Sequence, residues 1–166
     1  MPDQPTTAVL ADVQNIYYTT RQIYQRTFDY RKCWEKISGS GVITSAFAYA
    51  THRNDSGQLR FQSALRNIGF TVKLKPFIQR SDGSAKGDWD VGITIDALLV
   101  APEVERIVLL SGDGDFDLLL DAVRTRFQVK TEVYGVPELT ASSLIEMADV
   151  YHEIGDNLLQ PRSERK

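Results

Sequence analysis

Ile107-Val-Leu-Leu-Ser-Gly-Asp-Gly-Asp-Phe116 decides how this chain folds. Its first four residues form a branched apolar run, the pattern of a strand buried on both faces. Ser111, Gly112, Asp113, Gly114 and Asp115 then break the run, and Leu118-Leu-Leu120 reads as the start of a helix. A buried strand therefore delivers two carboxylates into a tight turn at its C-terminal end. In open α/β sheets that edge is where ligands sit. Two anions ~4 Å apart repel by about 4 kcal/mol at an effective dielectric near 20. What the site can do depends on whether other acids converge on this turn and on what holds them.

Outward from that turn, strand and helix signals alternate. Residues 7–11 are a short apolar run that stops at Asp12, with Asn15 in the next turn. Residues 16–37 suit an irregular helical region, two helices broken near residues 27–29, whose aromatics are expected to pack on the sheet. Residues 42–50 read as the second strand. A helix follows to residue 68, and Gly69 is its expected C-cap. Residues 70–75 alternate apolar and polar, as a third strand near the sheet edge does. Residues 76–87 form a loop or extended excursion, and residues 89–100 a helix. The fourth strand is 105–110, followed by a helix at 118–127 and a fifth strand at 129–134. A short helix at 142–147 precedes Val150 and Tyr151, which allow a last strand. Residues 1–155 are expected to be a single domain and residues 156–166 a mobile polar tail. The alternation predicts a three-layer α/β sandwich with a mostly parallel central sheet.

Composition narrows the chemistry. With 42% hydrophobic and 25% charged residues, 166 residues can bury one substantial core. The net charge of −3 argues against a chain that is basic throughout. One cysteine, Cys33, excludes a disulfide framework and a Cys-rich zinc site. The two histidines, His52 and His152, have no motif context. No run approaches the ~18 apolar residues of a membrane span, and the first residues lack the regions of a signal peptide. A cytoplasmic setting is the simplest expectation.

Asp12 ends the first strand and Asp113 follows the fourth. In the strand order 3-2-1-4-5 these strands are neighbours, and their ends lie about 4.8 Å apart. In the order 2-1-3-4-5 the third strand separates them. A third source of acid is Asp88 or Asp90 at the start of the helix near residue 90. Asp96 lies about 120° further round that helix from Asp90, so both cannot face one ion. Asp90 is the better placed. Asp96 then either supports the site or pairs with a basic residue. Each acid has a plainer role as a cap or turn residue, yet acids at several strand ends together suit a hard cation, Mg²⁺ or Mn²⁺. Such a site suits phosphodiester hydrolysis. A Walker motif and a GxGxxG loop are absent. Gln14, where an aspartyl-phosphate enzyme needs a second Asp, argues against that chemistry. Lys73, Lys75, Arg80 and Lys86 lead into Asp88 and Asp90, and Arg53 and Arg60 lie beyond the second strand. Of these, Lys86, Arg80, Lys75 and Arg53 are the candidates for holding a polyanionic substrate.

Four pieces of the chain resemble the LabA-like branch of the NYN domains, within the PIN-like nuclease superfamily. They are Val9-Leu-Ala-Asp-Val-Gln-Asn15, Lys86-Gly-Asp-Trp-Asp-Val-Gly-Ile-Thr-Ile-Asp-Ala-Leu98, Leu110-Ser-Gly-Asp-Gly-Asp-Phe116 and Ser143-Leu-Ile-Glu-Met-Ala-Asp149. They occur in the family's order and span most of the chain. The resemblance implies a PIN-like, Rossmann-like fold and a Mg²⁺-dependent ribonuclease site acting on RNA. By it, Asp12, Asp90, Asp113 and Asp115 are the metal-binding and catalytic acids, with Asn15, Ser111 and Asp96 in support and Asp88 as the rival third ligand. The first loop departs from many relatives in carrying the bulkier Val13 and Gln14. Fold and motif do not fix activity. A low-turnover RNA- or nucleotide-binding regulatory module on the same scaffold is therefore the alternative, and a phosphatase or nucleotide-acting enzyme a third reading. A homodimer is an assembly the sequence allows.

Overall fold

The computed structural model describes residues 4–52, 56–76, 78–79, 85–86 and 88–162. In chain order the elements are β1 (Thr6–Asp12), α1 (Val13–Tyr24), α2 (Tyr30–Ser38), β2 (Val42–His52), α3 (Ser56–Ile68), β3 (Thr71–Pro76), β4 (Ile78–Gln79), β5 (Ala85–Lys86), α4 (Asp90–Val100), β6 (Arg106–Leu110), α5 (Asp117–Phe127), β7 (Lys130–Gly135), α6 (Ser142–Met147) and β8 (Val150–Glu153). Short 3₁₀ turns join several of them, including Gly114–Phe116 before α5.

Six strands form one sheet in the order β3-β2-β1-β6-β7-β8. Every neighbouring pair is parallel. β4 and β5 pair with each other as an antiparallel ribbon within the excursion expected at residues 76–87. With that ribbon left out of the count, the order is the expected 3-2-1-4-5, extended by β8 as a sixth strand. The competing order fails because β3 sits at the edge, against β2.

Alternation along the buried strands builds two cores. Val9, Ala11, Ala46, Ala48, Val108 and Leu110 face one way, with Ile16 of α1, Cys33 of α2 and Leu65 of α3. Ala8, Leu10, Tyr49, Ile107 and Leu109 face the other way, with Ile93 of α4, Leu120 of α5 and Leu144 of α6. The β1-to-β2 and β6-to-β7 crossovers step outward in opposite directions. With one common hand, that places their helices on opposite faces. The result is a three-layer α/β sandwich whose topological switch lies between β1 and β6. Ala11 pairs with Leu110 there, so Asp12 and the turn after Leu110 leave the sheet side by side.

The expected break in the first helical region is real. Gln25 takes the left-handed conformation (φ 52°) at the end of α1, and Asp29 caps α2 by accepting from the Lys32 amide at 3.0 Å. Gly69 closes α3 at φ +137°, where a side chain would be strained and its Cβ would lie 2.7 Å from the Trp34 ring. Two expectations need correction. Residues 156–160 do not form a free tail. Leu158 and Leu159 are buried, the Asp29 amide donates to the Leu158 carbonyl at 2.8 Å, and Arg26 pairs with Asp156. An apolar pair in a polar stretch fills the gap left by the break between α1 and α2. The aromatics of residues 16–37 do not all pack inward either. Phe28 and Tyr30 are buried, but Tyr17 and Tyr18 are 50% and 53% exposed.

At the opposite sheet edge from the turn, Arg106 is 4% exposed. It donates to Thr7 Oγ1 (2.9 Å), Ser40 Oγ (2.8 Å), the Ile37 carbonyl (2.9 Å) and Glu132 Oε2 (3.2 Å). Gly41 leaves room for it, since a Cβ there would lie 2.5 Å from the guanidinium. The His152 ring, and then Arg106, hold the Glu132 carboxyl below its usual range against its burial. Removing one partner of such a buried pair leaves an unmatched charge. Arg106→Ala should therefore destabilise the domain by about 3 kcal/mol, read from the midpoint of urea unfolding.

Candidate functional site

β1 runs out at Asp12, and its carboxylate begins the site. Asp12 caps α1, with Oδ1 accepting from the Asn15 amide at 3.4 Å. Ser111 Oγ donates to Asp12 Oδ2 at 3.1 Å and accepts from the Asp113 amide at 3.2 Å. The Gly112 amide donates to Asn15 Oδ1 at 2.9 Å. Asn15 and Ser111 thus tie the loop after β1 to the turn after β6. The turn is also held on its other side. A Cβ on Gly112 would lie 2.9 Å from the Leu139 carbonyl oxygen, and one on Gly114 would lie 2.8 Å from the Ala141 Cβ. These glycines are needed because another loop packs directly on the turn. Asp113 Oδ1 accepts from the Asp115 amide at 2.9 Å, which caps the 3₁₀ turn leading into α5.

The third acidic segment is set by contacts with β2 and β3. Trp89 Nε1 donates to the Ala50 carbonyl at 2.9 Å. Lys75 Nζ donates to the Asp88 carbonyl at 3.0 Å and lies 4.9 Å from the centre of the Trp89 ring. Nearly two turns further along α4, Asp96 Oδ2 accepts from Tyr49 OH at 2.9 Å and from Lys73 Nζ at 2.7 Å. Asp88 Oδ1 accepts from the Asp90 amide at 3.2 Å. The start of α4 is thereby fixed beside the turn. Asp90, Asp113 and Asp115 each offer an oxygen, and all three oxygens lie within 4.8 Å of one another.

Two of the acids at this edge, Asp12 and Asp90, hold their protons more tightly than usual. The Asp12 carboxyl is pushed up to about 6, mainly by burial. The hydrogen bonds from Asn15 and Ser111 oppose that shift, while the charges of Asp113 and Asp88 add to it. Asp90 is pushed up to about 7 by burial, then by the charges of Asp113, Asp88 and Asp12 and by a hydrogen bond shared with Asp113. Among the described residues, none of Asp12, Asp90, Asp113 and Asp115 forms an ion pair. Clustered carboxylates with no counter-charge among the described residues fit a hard divalent cation, because the donors are all oxygen.

The structure separates the residues that the sequence grouped together. Asp90, Asp113 and Asp115 converge, Asp12 adjoins them through Ser111, and Asn15 and Ser111 hold the frame. Asp88 accepts from the Asp90 amide at the start of α4 and lies outside the three-oxygen cluster. Asp96 contacts none of these acids among the bonds described and instead clamps α4 to β2 and β3. Lys75, read as a substrate cation, holds the start of α4. Arg53 and Arg80 lie outside the described residues, as does the side chain of Lys86. Sequence reasoning missed the positioning contacts of Trp89, Lys73 and Tyr49. The signal available was Lys73 and Lys75, two residues apart and therefore on one face of β3.

The sequence pattern of the NYN domain matches residues 6–155. Low amplitude and bright protein LabA of Synechococcus elongatus is 28% identical over 157 residues, covering 90% of this chain and 83% of that protein. A crystal structure of a protein of unknown function from Vibrio parahaemolyticus superposes with a TM-score of 0.92 at 49% identity, covering 96% of this chain and 99% of that one.

The raised Asp12 carboxyl predicts a pH effect with a definite sign. The folded protein binds this proton more tightly than the unfolded chain, whose value is 3.8. Stability from Asp12 is therefore full below about 4 and is lost as pH rises to about 6. Asp12→Asn keeps a capping side chain and removes the charge. In EDTA it should melt higher than the parent at pH 7.5, and the gap should shrink by pH 5. Thermal scans at the two pH values check this, and a gap that widens toward pH 5 would reverse the sign.

Proposed function

The chain belongs to the NYN domain family, and from that premise we propose that it is a metal-dependent ribonuclease that hydrolyses phosphodiester bonds at the edge formed by β1, β6 and α4. One observation carries the reading. Asp90, Asp113 and Asp115 bring oxygens within 4.8 Å of one another, with no cation paired to them among the described residues. Asp90, Asp113 and Asp115 would hold Mg²⁺ or Mn²⁺, with Asp12 beside them. Such an ion supplies a water activated near neutral pH and charge neutralisation at the phosphate.

The protein's own part is orientation. The Asp115 amide fixes one oxygen of Asp113, and Ser111 fixes Asp12. Asp96 and Lys73 hold α4 so that Asp90 reaches the others. RNA is the substrate of this reading. No described helix is long and apolar enough to cross a membrane. The cytoplasm is the compartment that goes with the reading, in keeping with a lone buried cysteine, Cys33.

Purified protein should cut single-stranded RNA with Mg²⁺ and lose that activity in EDTA. Asp113→Asn should lower the rate at least ~100-fold, as expected when a group holding a catalytic ion is lost. Its circular dichroism spectrum should be unchanged. Cleavage that persists undiminished in EDTA would rule out the metal centre. Metal-dependent RNA binding without product would instead mark a regulatory binding module.

A further inference from the structure

We propose that the cleft between α1 and α3 is a nucleobase pocket that takes one unstacked base of single-stranded RNA next to the phosphate at the acidic edge. The assignment rests on the ribonuclease reading above and adds what that reading lacks, a means of holding the substrate. The cleft has a volume of about 290 Å³. That lies at the small end of ligand sites and suits a single flat ring system. Ile16, Phe28, Tyr30 and Phe61 line it as buried or half-buried apolar groups, and the exposed Tyr17 and Tyr18 line it as well.

Its place follows from the fold. Val13 and Gln14 line the cleft directly after Asp12, and Ala50 and Thr51 line it at the C-terminal end of β2. Asp12 and Tyr49 are paired across β1 and β2, so the cleft opens on the same sheet edge as the acids. A phosphate at the acids and a base in the cleft would thus belong to adjoining parts of one strand. The side chains of Gln14 and Thr51 have no hydrogen-bond partner among the described residues, which leaves both polar groups available to a base edge.

Charge selects the same ligand. The chain carries a net charge of −3. Yet α1 and α3, which wall the cleft, contain Arg21, Arg60 and Arg66 and no Asp or Glu. The Arg21 guanidinium lies 5.9 Å from the centre of the Tyr17 ring. An exposed aromatic ring beside a cation, as Tyr17 is beside Arg21, is how proteins hold single strands, with stacking for the base and cations for the backbone. A membrane surface or an apolar peptide would use neither the narrow cleft nor its polar lining.

The test is fluorescence anisotropy with a labelled RNA hexamer and Ca²⁺ in place of Mg²⁺, set beside a hexamer of the same backbone with abasic residues. The base-containing strand should bind at least about fivefold more tightly than the abasic one. Tyr18→Ala and Tyr17→Ala should remove most of that difference, whereas Leu99→Ala, an exposed apolar residue on α4, should leave it intact. Both tyrosines are half exposed, so thermal melts should match the parent. Equal binding of the two strands overturns the pocket, as does a base-dependent difference that survives both tyrosine variants. Base-dependent binding without Mg²⁺-dependent cleavage would sustain the pocket and sink the ribonuclease reading. Cleavage without base dependence would do the reverse.

Discussion

The repulsion among four carboxylates at one sheet edge is the constraint on which this structure turns. β1 and β6 are neighbours because both are buried on two faces and belong at the centre of the sheet. That adjacency brings Asp12 beside the turn carrying Asp113 and Asp115. The fold therefore stores an electrostatic penalty at its switch point, visible as Asp12 and Asp90 holding protons up to about 6 and about 7. A divalent cation, as proposed above for this edge, would relieve that penalty.

The rest of the molecule keeps that penalty from relaxing. If Asp90 could swing away, the charges would separate and the site would be lost. Three contacts prevent it: Trp89 to the Ala50 carbonyl, Lys75 to the Asp88 carbonyl, and Asp96 to Lys73 and Tyr49. Each joins α4 to β2 or β3. Lys75, which sequence alone would assign to a substrate, and its neighbour Lys73 therefore both brace the scaffold. At the far edge Arg106 and Glu132 serve the sheet and not the site, as expected where ligands gather at strand C-termini.

Sign of charge is also divided in space. Acids collect around β6 and the start of α4, while α1 and α3 carry arginines alone. A net charge of −3 hides this division. On the function proposed above, a polyanion would be drawn to one wall and cut at the other once a bound cation reversed the sign of the acidic edge.

Much was legible in the sequence because it depends on neighbours in the chain. Apolar runs ending in Asp12 and at Ser111 marked buried strands and the acids at their ends. Gly112 and Gly114 marked a crowded turn, and the placement of carboxylates selected the strand order. What depends on distant residues was not legible. Asp88 and Asp90 are both plausible by spacing, and the contacts of Trp89 and Lys75 with β2 and Asp88 decide which one reaches the turn. Asp96 sits on an apolar helix, but only β3 reveals that Lys73 meets it. Tyr17 and Tyr18 share the pattern of the packed aromatics beside them, and only the gap between α1 and α3 leaves them exposed. Leu158 and Leu159 are two apolar residues in a polar stretch, buried because the break near Gln25 leaves a space of their size. Periodicity along the chain is local, whereas the partner of a side chain is set by packing between elements.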